Sequence, residues 1–502
     1  MHTHPLIAGL DVGTTNIKAL IVEPDGQVVA SASTPTPTHH PRTGWAFYDP
    51  DELWGAVCRT IREATESISA RDRITSIAVA SVGETGFPVG LDGQATHNGI
   101  AWFDTRTEPQ AQWLRDNIGA ETIYQACRMS IQPIYGLCKL LWLRDNEPAV
   151  IENATWLNAA DYIAFKLSGE YVSEPSLASR ALLYEVDKRS WAVDLLAACD
   201  LSPDLLPPLK PSGTGIGTVT SSASDQTGLT TSTVVATGGH DHVCGALGVG
   251  VVSPGTILNS LGTAEAHFLP IDQPLNRPEV ARQGYSVGGH VAGDRFYAIG
   301  GLYASGGSVD WVKSLLGASD GKTLLREAHE VPPGADGVMF LPHLRIANPP
   351  FGDAPSKGAF VGLTGDTNRA SVYRAVLEGI ALEANLCLRG LLSYAGVEDP
   401  SDLIAIGGST RNILLMDIKA AVYGRPITVA ETEESTALGA AILGGLGAGV
   451  YADLADVLSI VIQERHVIEP DATLVERYAD ITDRYNHVYP ALKPLNARIS
   501  ET

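Results

Sequence analysis

Basic residues are scarce in this 502-residue chain: 35 Lys and Arg stand against 57 Asp and Glu, a formal net charge of −22. So acidic a surface repels nucleic acid and anionic membrane, and both are excluded as partners. Cysteine is scarce too. The six copies, Cys58, Cys127, Cys138, Cys199, Cys244 and Cys387, form no CxxC pair and no Cys/His cluster at zinc spacing, which excludes a disulfide framework and a structural zinc site. Buried free thiols are the expectation. The longest apolar candidate, 437–451, runs for about fifteen Gly-rich residues, short of the ~20 that a bilayer needs. Met1, His2, Thr3 and His4 lead straight into a short apolar run without a basic leader, so no signal peptide and a cytoplasmic location are expected. Also missing are a GxxxxGK[ST] loop and a GxGxxG turn opening a helix after a first strand, and "GTGIGT" near Gly213 reads as a flexible turn. A polyanion would therefore have to be met by backbone N–H groups, helix N-termini and a metal ion.

The length exceeds what one core supports, so at least two domains are expected. "LIAGLDVGTTNIKALIVEPDGQVVASAS" predicts three antiparallel strands joined by a Gly-Thr-Thr turn and a Pro-Asp-Gly turn. A helix over 50–71, with Leu53, Trp54, Val57 and Ile61 at helical spacing, and a strand over 74–80 complete an α/β unit. Helical patterns over 107–115, 139–146 and 161–167 interrupt the sheet pattern and read as a cap around a substrate cleft. "GTILNSLGTAEAHFLP" then repeats the opening strand-turn-strand, with Gly262 and Thr263 falling where Gly13 and Thr14 fall. The long amphipathic pattern with Val372, Val376 and Ile380 and the strand running into Gly407 and Gly408 extend the repeat. The pattern predicts two duplicated α/β domains, residues 1–246 and 247–502, facing each other across a cleft. Two unrelated α/β domains are the alternative.

Four motifs could carry chemistry. Asp11 ends the first strand before Gly13, Thr14 and Thr15, with Lys18 just beyond. Such a turn points N–H groups and hydroxyls into one concavity suited to phosphate, and the carboxylate could hold a hydrated Mg²⁺. A Gly-Thr turn also serves a hairpin by geometry alone. In "ATGGHDHVCGALGVG", Asp241 is placed either to cap a helix or to act as the general base that phosphoryl transfer to a hydroxyl requires. His240 and His242 flank it without a third ligand cluster, which argues against a metal site built on the two histidines. Gly262 and Thr263 form the second phosphate turn. In "AIGGSTRN", Gly407 and Gly408 permit close approach of a nucleotide that Ser409, Thr410 and Asn412 could bond.

In this order and spacing, the motifs resemble the FGGY family of carbohydrate kinases, within the actin-like and hexokinase-like ATPases. The resemblance covers nearly the whole chain and includes "DVGTTNIKAL", "AWFDTRT", "LLWLRDNEP", "DYIAFKLSGEY", "GHDHVCGALGVG", "GAFVGLTGDTNRASVYRAVLEG" and "GGSTRNILLMDIKAAVYGRPITVAETEESTALGAAILGG". It implies an α/β fold of two duplicated actin-like, RNase H-like domains, the hexokinase superfold: a sugar-binding first domain with cap segments and a nucleotide-binding second one. It further implies Asp11 and Asp241 at Mg²⁺, Asp241 as catalytic base, and Gly13, Thr14, Thr15, Lys18, Gly262 and Thr263 at the ATP phosphates. Gly407, Gly408, Ser409 and Asn412 would lie at the nucleotide. The chain resembles xylulose kinases in overall pattern, but "SVGETGF" replaces their Met-His-Gly element. Glu84-Thr85 is similar to the Arg-Glu-Thr of glycerol kinases, with Gly83 where their Arg would be, a loss expected to enlarge the pocket. Glu84, Thr85, Trp102, Asp104, Arg106 and His242 are the expected substrate contacts. The implied reaction is ATP-dependent phosphorylation of a primary hydroxyl of a small sugar, a ketose such as xylulose. A polyol kinase of the same family, a non-sugar actin-like ATPase and a catalytically dead sugar-binding regulator are the alternatives. A homodimer is the one assembly entertained.

Overall fold

In the computed structural model, which describes residues 4–500 apart from 69–70, 318–320, 346, 348, 433 and 461–464, two sheets share one topology. The first contains β1 (Leu6–Val12), β2 (Asn16–Val22), β3 (Val28–Pro35), β4 (Ile74–Ser81), β5 (Gly215–Thr218) and β6 (Val234–His240), in the order β5-β6-β4-β1-β2-β3. The central strands are covered on both faces, which explains why β1 and β4 read as nearly unbroken apolar runs. β1, β2 and β3 form the expected antiparallel meander, while β4 and β6 add in parallel and β5 antiparallel.

The second sheet contains β7 (Thr256–Leu261), β8 (Glu265–Ile271), β9 (Ser286–Gly289), β10 (Phe296–Leu302), β11 (Asp402–Ile406), β12 (Ile427–Ala430) and β13 (Arg465–Ile468), in the order β9-β10-β8-β7-β11-β12-β13. Its β7, β8 and β10 repeat the meander, β11 and β12 add in parallel, and β13 closes the edge antiparallel. Only β9 has no counterpart in the first sheet. The turns at 13–15 and 262–264 therefore occupy equivalent places between the first two strands of each sheet.

Two local expectations are corrected. The stretch near Gly213 is a turn only in part: Gly215–Thr218 pairs with β6 as an edge strand, a position that tolerates glycine because one side of it needs no partner. Helix α1 (Pro50–Glu66) starts on an Asp49 cap, whose carboxylate accepts from Asp51 and Glu52 N–H. It ends short of residue 71, where Ser67 donates its hydroxyl to the Ala64 carbonyl. Residues 1–3, part of the expected leaderless start, and 69–70 lie outside the described residues.

The expected cap is helical: α2 (Glu108–Asn117), α3 (Gly136–Asn146) and α4 (Ala159–Ser168), followed by α5 (Pro175–Arg180), which Glu174 caps by accepting from Ser176 and Leu177 N–H. After β6 comes α6 (Asp241–Gly248); around the second sheet run α7 (Gly306–Leu315), α8 (Arg369–Ala395) and α9 (Ile413–Tyr423), while α10 (Ser435–Gly447) packs back on the first sheet. The apolar run noticed at 437–451 is mostly α10, whose small residues are buried against α6 and against β1, β4 and β6 of the first sheet. A Cβ at Gly439 would run into the Cys244 carbonyl oxygen, so the two helices meet backbone to backbone. All six cysteines are buried and free. Among the described residues no helix is long and apolar enough to cross a membrane.

Candidate active site

The first turn is built as a small cradle. Gly13 N–H donates to the Asn16 carbonyl at 3.1 Å, and Thr36 closes the turn from β3's far end by donating its hydroxyl to the Gly13 carbonyl at 2.7 Å. Thr14 faces a cavity of about 320 Å³, and Trp102 Nε1 donates to its hydroxyl at 2.9 Å. Asp11 ends the same strand with Oδ1 buried and, among the described residues, without a hydrogen-bond partner. Burial, and then the charge of Asp241 beside it, pushes its pKa up to about 8 against the pull of Lys18. A desolvated carboxylate facing a second one is a site that a cation would stabilise. Lys18, opposite Asp11 in the β1–β2 pairing, spans the cleft to Glu434 Oε1 at 2.9 Å.

Asp241 opens α6 and lines the same cavity with His240 and His242. Its Oδ1 accepts from the His242 N–H at 2.6 Å and lies 3.1 Å from His240 Nε2. Burial pushes the His240 imidazole down to about 3, against the pull of Asp241, so the ring meets the carboxylate as a neutral dipole. Beneath it, the His240 N–H donates to Ser176 Oγ, which donates to Glu174 at 2.6 Å, so the cap of α5 also fixes the β6–α6 junction. Asp241 is thus held by its two neighbours while staying open to the cavity, an arrangement that a general base could use.

Of the expected substrate contacts, Glu84, Trp102 and His242 line this cavity; Thr85, Asp104 and Arg106 do not. Thr85 is fully buried and donates its hydroxyl to the Ile100 carbonyl. Asp104 accepts from Ala46 N–H and from Arg106 Nε and Nη2, and the Arg106 guanidinium stacks 3.8 Å from the Trp45 ring centroid. Asp104 and Arg106 pair with each other within the cap, away from the wall of this cavity. The pocket is not enlarged by Gly83 either. A Cβ there would sit 2.5 Å from His240 Cδ2 and 2.6 Å from Arg180 Cγ, so those two side chains already fill the space. Arg180, at the end of α5, donates from Nε to Glu84 Oε1 at 2.6 Å and also from Nη2, while Lys139 donates to the Glu84 carbonyl.

A second cavity of about 670 Å³ opens on the other side of the second turn. Gly262, Thr263, Gly408, Ser409 and Asn412, named above as candidate nucleotide contacts, line it. Gly407, beside it at φ +103°, would place a Cβ 2.5 Å from the Leu261 carbonyl oxygen, and one at Gly306 would fall 2.5 Å from the Gly262 carbonyl oxygen. These close approaches leave a cradle floored by backbone, which suits phosphates. Tyr373, within the quoted "GAFVGLTGDTNRASVYRAVLEG", also lines it, as do Asp310 and Lys313, which lie in a segment without a sequence signal of its own. The two cavities meet at one hairpin: Gly262 and Thr263 face the larger, Ala264 and Glu265 the smaller. Glu265 is fixed by buried Lys419 at 2.5 Å and accepts from Ser305 Oγ, and the Ser305 N–H in turn donates to the Thr263 carbonyl. Burial works hardest against the Glu265 charge, but Lys419, His267 and the Asn259 donor together outweigh it and hold the carboxyl below the ordinary range.

Twin sheets of this topology, with a phosphate-type turn on each and a cleft between, define the actin-like, RNase H-like ATPase fold of sugar kinases. The chain belongs to the FGGY family of carbohydrate kinases: the family's N-terminal domain matches residues 6–248 and its C-terminal domain residues 257–448. The chain is 28% identical over 500 residues to a xylulose kinase of Bacillus subtilis, covering 98% of each. It is 30% identical over 473 residues to a glycerol kinase of Aromatoleum aromaticum, covering 90% of this chain and 92% of the relative. The crystal structure of xylulose kinase from Rhodospirillum rubrum superposes with a TM-score of 0.90 at 27% identity, covering 98% of this chain and all of that one. The protein is thus a carbohydrate kinase, a phosphotransferase of a family that uses ATP, and not a non-sugar ATPase.

Proposed function

We propose that this kinase transfers the γ-phosphoryl group of ATP to a primary hydroxyl of a small ketose such as xylulose, in the cytoplasm. The observation that carries the reading is the hairpin at 262–264, which parts a backbone-floored cavity from one holding Asp241. A nucleotide in the first would direct its terminal phosphate past Thr263 toward a hydroxyl in the second. Residues up to 246 would supply Asp241 and the acceptor's polar contacts, and the half from 247 the nucleotide cradle.

The proposed step breaks the bond between the γ-phosphorus and its bridging oxygen and forms one from that phosphorus to the acceptor oxygen. Asp241 takes the acceptor's proton. Gly13, Thr14, Thr15 and Thr263 would hold phosphate oxygens in line, and closure of the cleft would exclude water as a competing acceptor. Asp11, with its buried unpartnered oxygen, and Asp241 beside it fit a Mg²⁺ shared with the nucleotide; when bound, the ion neutralises charge developing on the phosphates.

A second reading, a polyol acceptor such as glycerol, is favoured by the 30% identity to a glycerol kinase and by Glu84 on the wall of the Asp241 cavity. A panel of ketoses and polyols in a coupled ADP assay separates the two. Asp241→Asn should lower acceptor-dependent ADP release about a hundredfold to ten-thousandfold with ATP binding retained. A variant that turns over its acceptor at the normal rate removes Asp241 as the base.

A further inference from the structure

Arg180 sits in the acceptor cavity although no motif announces it, and the way it is seated ties three residues into one device. The guanidinium leaves the last turn of α5, crosses beneath Gly83 and lands on Glu84 with two donors on a single oxygen, Oε1. Its side chain and that of Glu84 are 13% and 7% exposed, so the pair is partly buried and opens only to the cavity. Tyr135, whose ring centroid lies 5.1 Å from the Arg180 Cζ, walls the far side. Gly83 is a condition of this arrangement: any side chain there would displace the Arg180 stem, whose Cβ and Cγ would lie 2.9 and 2.6 Å from the new Cβ.

The pair leaves specific atoms free. Among the described residues no hydrogen bond takes Glu84 Oε2 or Arg180 Nη1, so one acceptor and one donor face the cavity side by side. Two adjacent hydroxyls, each both donor and acceptor, match such a couple. An anionic acceptor does not. Glu84 already neutralises Arg180, and Asp241 and Glu265 face the same space. The other cation on the wall, Arg345, is exposed at the rim.

We propose that Arg180, seated by Gly83 and paired to Glu84, is the specificity-determining residue of the acceptor site and selects a neutral vicinal diol over a sugar acid. The proposal rests on the sugar-kinase reading above and names the acceptor class within it.

The test measures ADP release by the full chain with xylulose, glycerol and gluconate as acceptors. Wild type should use a neutral acceptor in preference to gluconate. Arg180→Met should raise KM for the neutral acceptor about tenfold to a hundredfold, the loss expected for a charge-assisted hydrogen bond, with KM for ATP within about twofold. Gly83→Ala should raise the same KM and also lower kcat, because its Cβ would press on His240 beside Asp241 as well as on the Arg180 stem, and Arg180→Lys should recover part of the Arg180→Met loss. Glu84→Gln frees the Arg180 charge and should move the neutral-to-gluconate preference at least about tenfold toward gluconate. An unchanged neutral-acceptor KM in Arg180→Met, or wild-type preference for gluconate, overturns the proposal while leaving the kinase reading standing. If no acceptor stimulates wild-type ADP release, the acceptor reading falls and the proposal with it. A retained ATP KM shows that a variant has folded; if Arg180→Met has lost it, Arg180→Gln takes its place, and an unchanged acceptor KM and acceptor preference in that variant would equally overturn the assignment.

Discussion

Trp102 Nε1 donates to Thr14 Oγ1 at 2.9 Å, so a wall of the acceptor cavity and the first phosphate turn share one hydrogen bond. In the proposed reaction the indole would do two things at once: offer an apolar face to the acceptor and fix the rotamer of a hydroxyl that would meet a phosphate oxygen. Trp102→Phe keeps the face and deletes the bond. A neutral hydrogen bond contributes about 0.5–1.5 kcal/mol, so kcat/KM should fall about twofold to twelvefold. Thr14→Val should cost at least as much, and the double variant should lose no more than Thr14→Val alone. Steady-state kinetics on the three variants check this; fully additive losses would show that the two residues act independently.

Much of this site was legible because its turns are local. Asp11 to Thr15 and Leu261 to Thr263 are contiguous, and the strand-turn-strand pattern around them repeats, so the equivalence of the two turns could be read from spacing alone. Arg180 could not be found that way. It lies 96 residues from Glu84 in "PSLASR", and only the docking of α5 under the β6–α6 junction brings the two together. Asp104 and Arg106 misled for the opposite reason. An acid and a base two residues apart in a polar loop suggest ligand contacts, yet that separation let them satisfy each other. Gly83 suggests an enlarged pocket for a related reason: a sequence does not show which distant side chains, here Arg180 and His240, fill the space a glycine leaves.

The helix pair at the base of the cleft supports a stability prediction. Gly439 on α10 meets the Cys244 carbonyl of α6 with no room for a methyl group. Gly439→Ala must therefore push the helices apart, and overpacking of a core typically costs about 1–3 kcal/mol. The melting temperature should drop, whereas Gly449→Ala, at a position with open space around it, should show only the smaller strain of its φ of +71°. Differential scanning calorimetry decides it: equal melting temperatures for Gly439→Ala and wild type would mean that the interface has slack.

Asp161 supports a pH prediction with a definite sign. It is buried in the cap's base, accepting from Ser173 Oγ at 2.6 Å and Asn158 Nδ2 at 2.8 Å, near the Glu174 carboxyl that caps α5. Burial raises its pKa to about 8; the bond from Ser173 opposes that shift and the neighbouring Glu174 adds to it. In the unfolded chain the same group titrates near about 3.9. Between those values the native state holds a proton that the unfolded state has lost, so unfolding becomes easier as pH rises. The contribution of protonated Asp161 is complete below about pH 4 and gone above about pH 8. Asp161→Asn keeps the shape and removes the titration. Melting temperatures recorded from pH 5 to pH 8.5 should therefore fall more steeply for wild type than for Asp161→Asn, with the variant gaining on wild type at the alkaline end. Parallel curves would show that Asp161 stays ionised in the folded protein, its charge carried by the Ser173 and Asn158 donors.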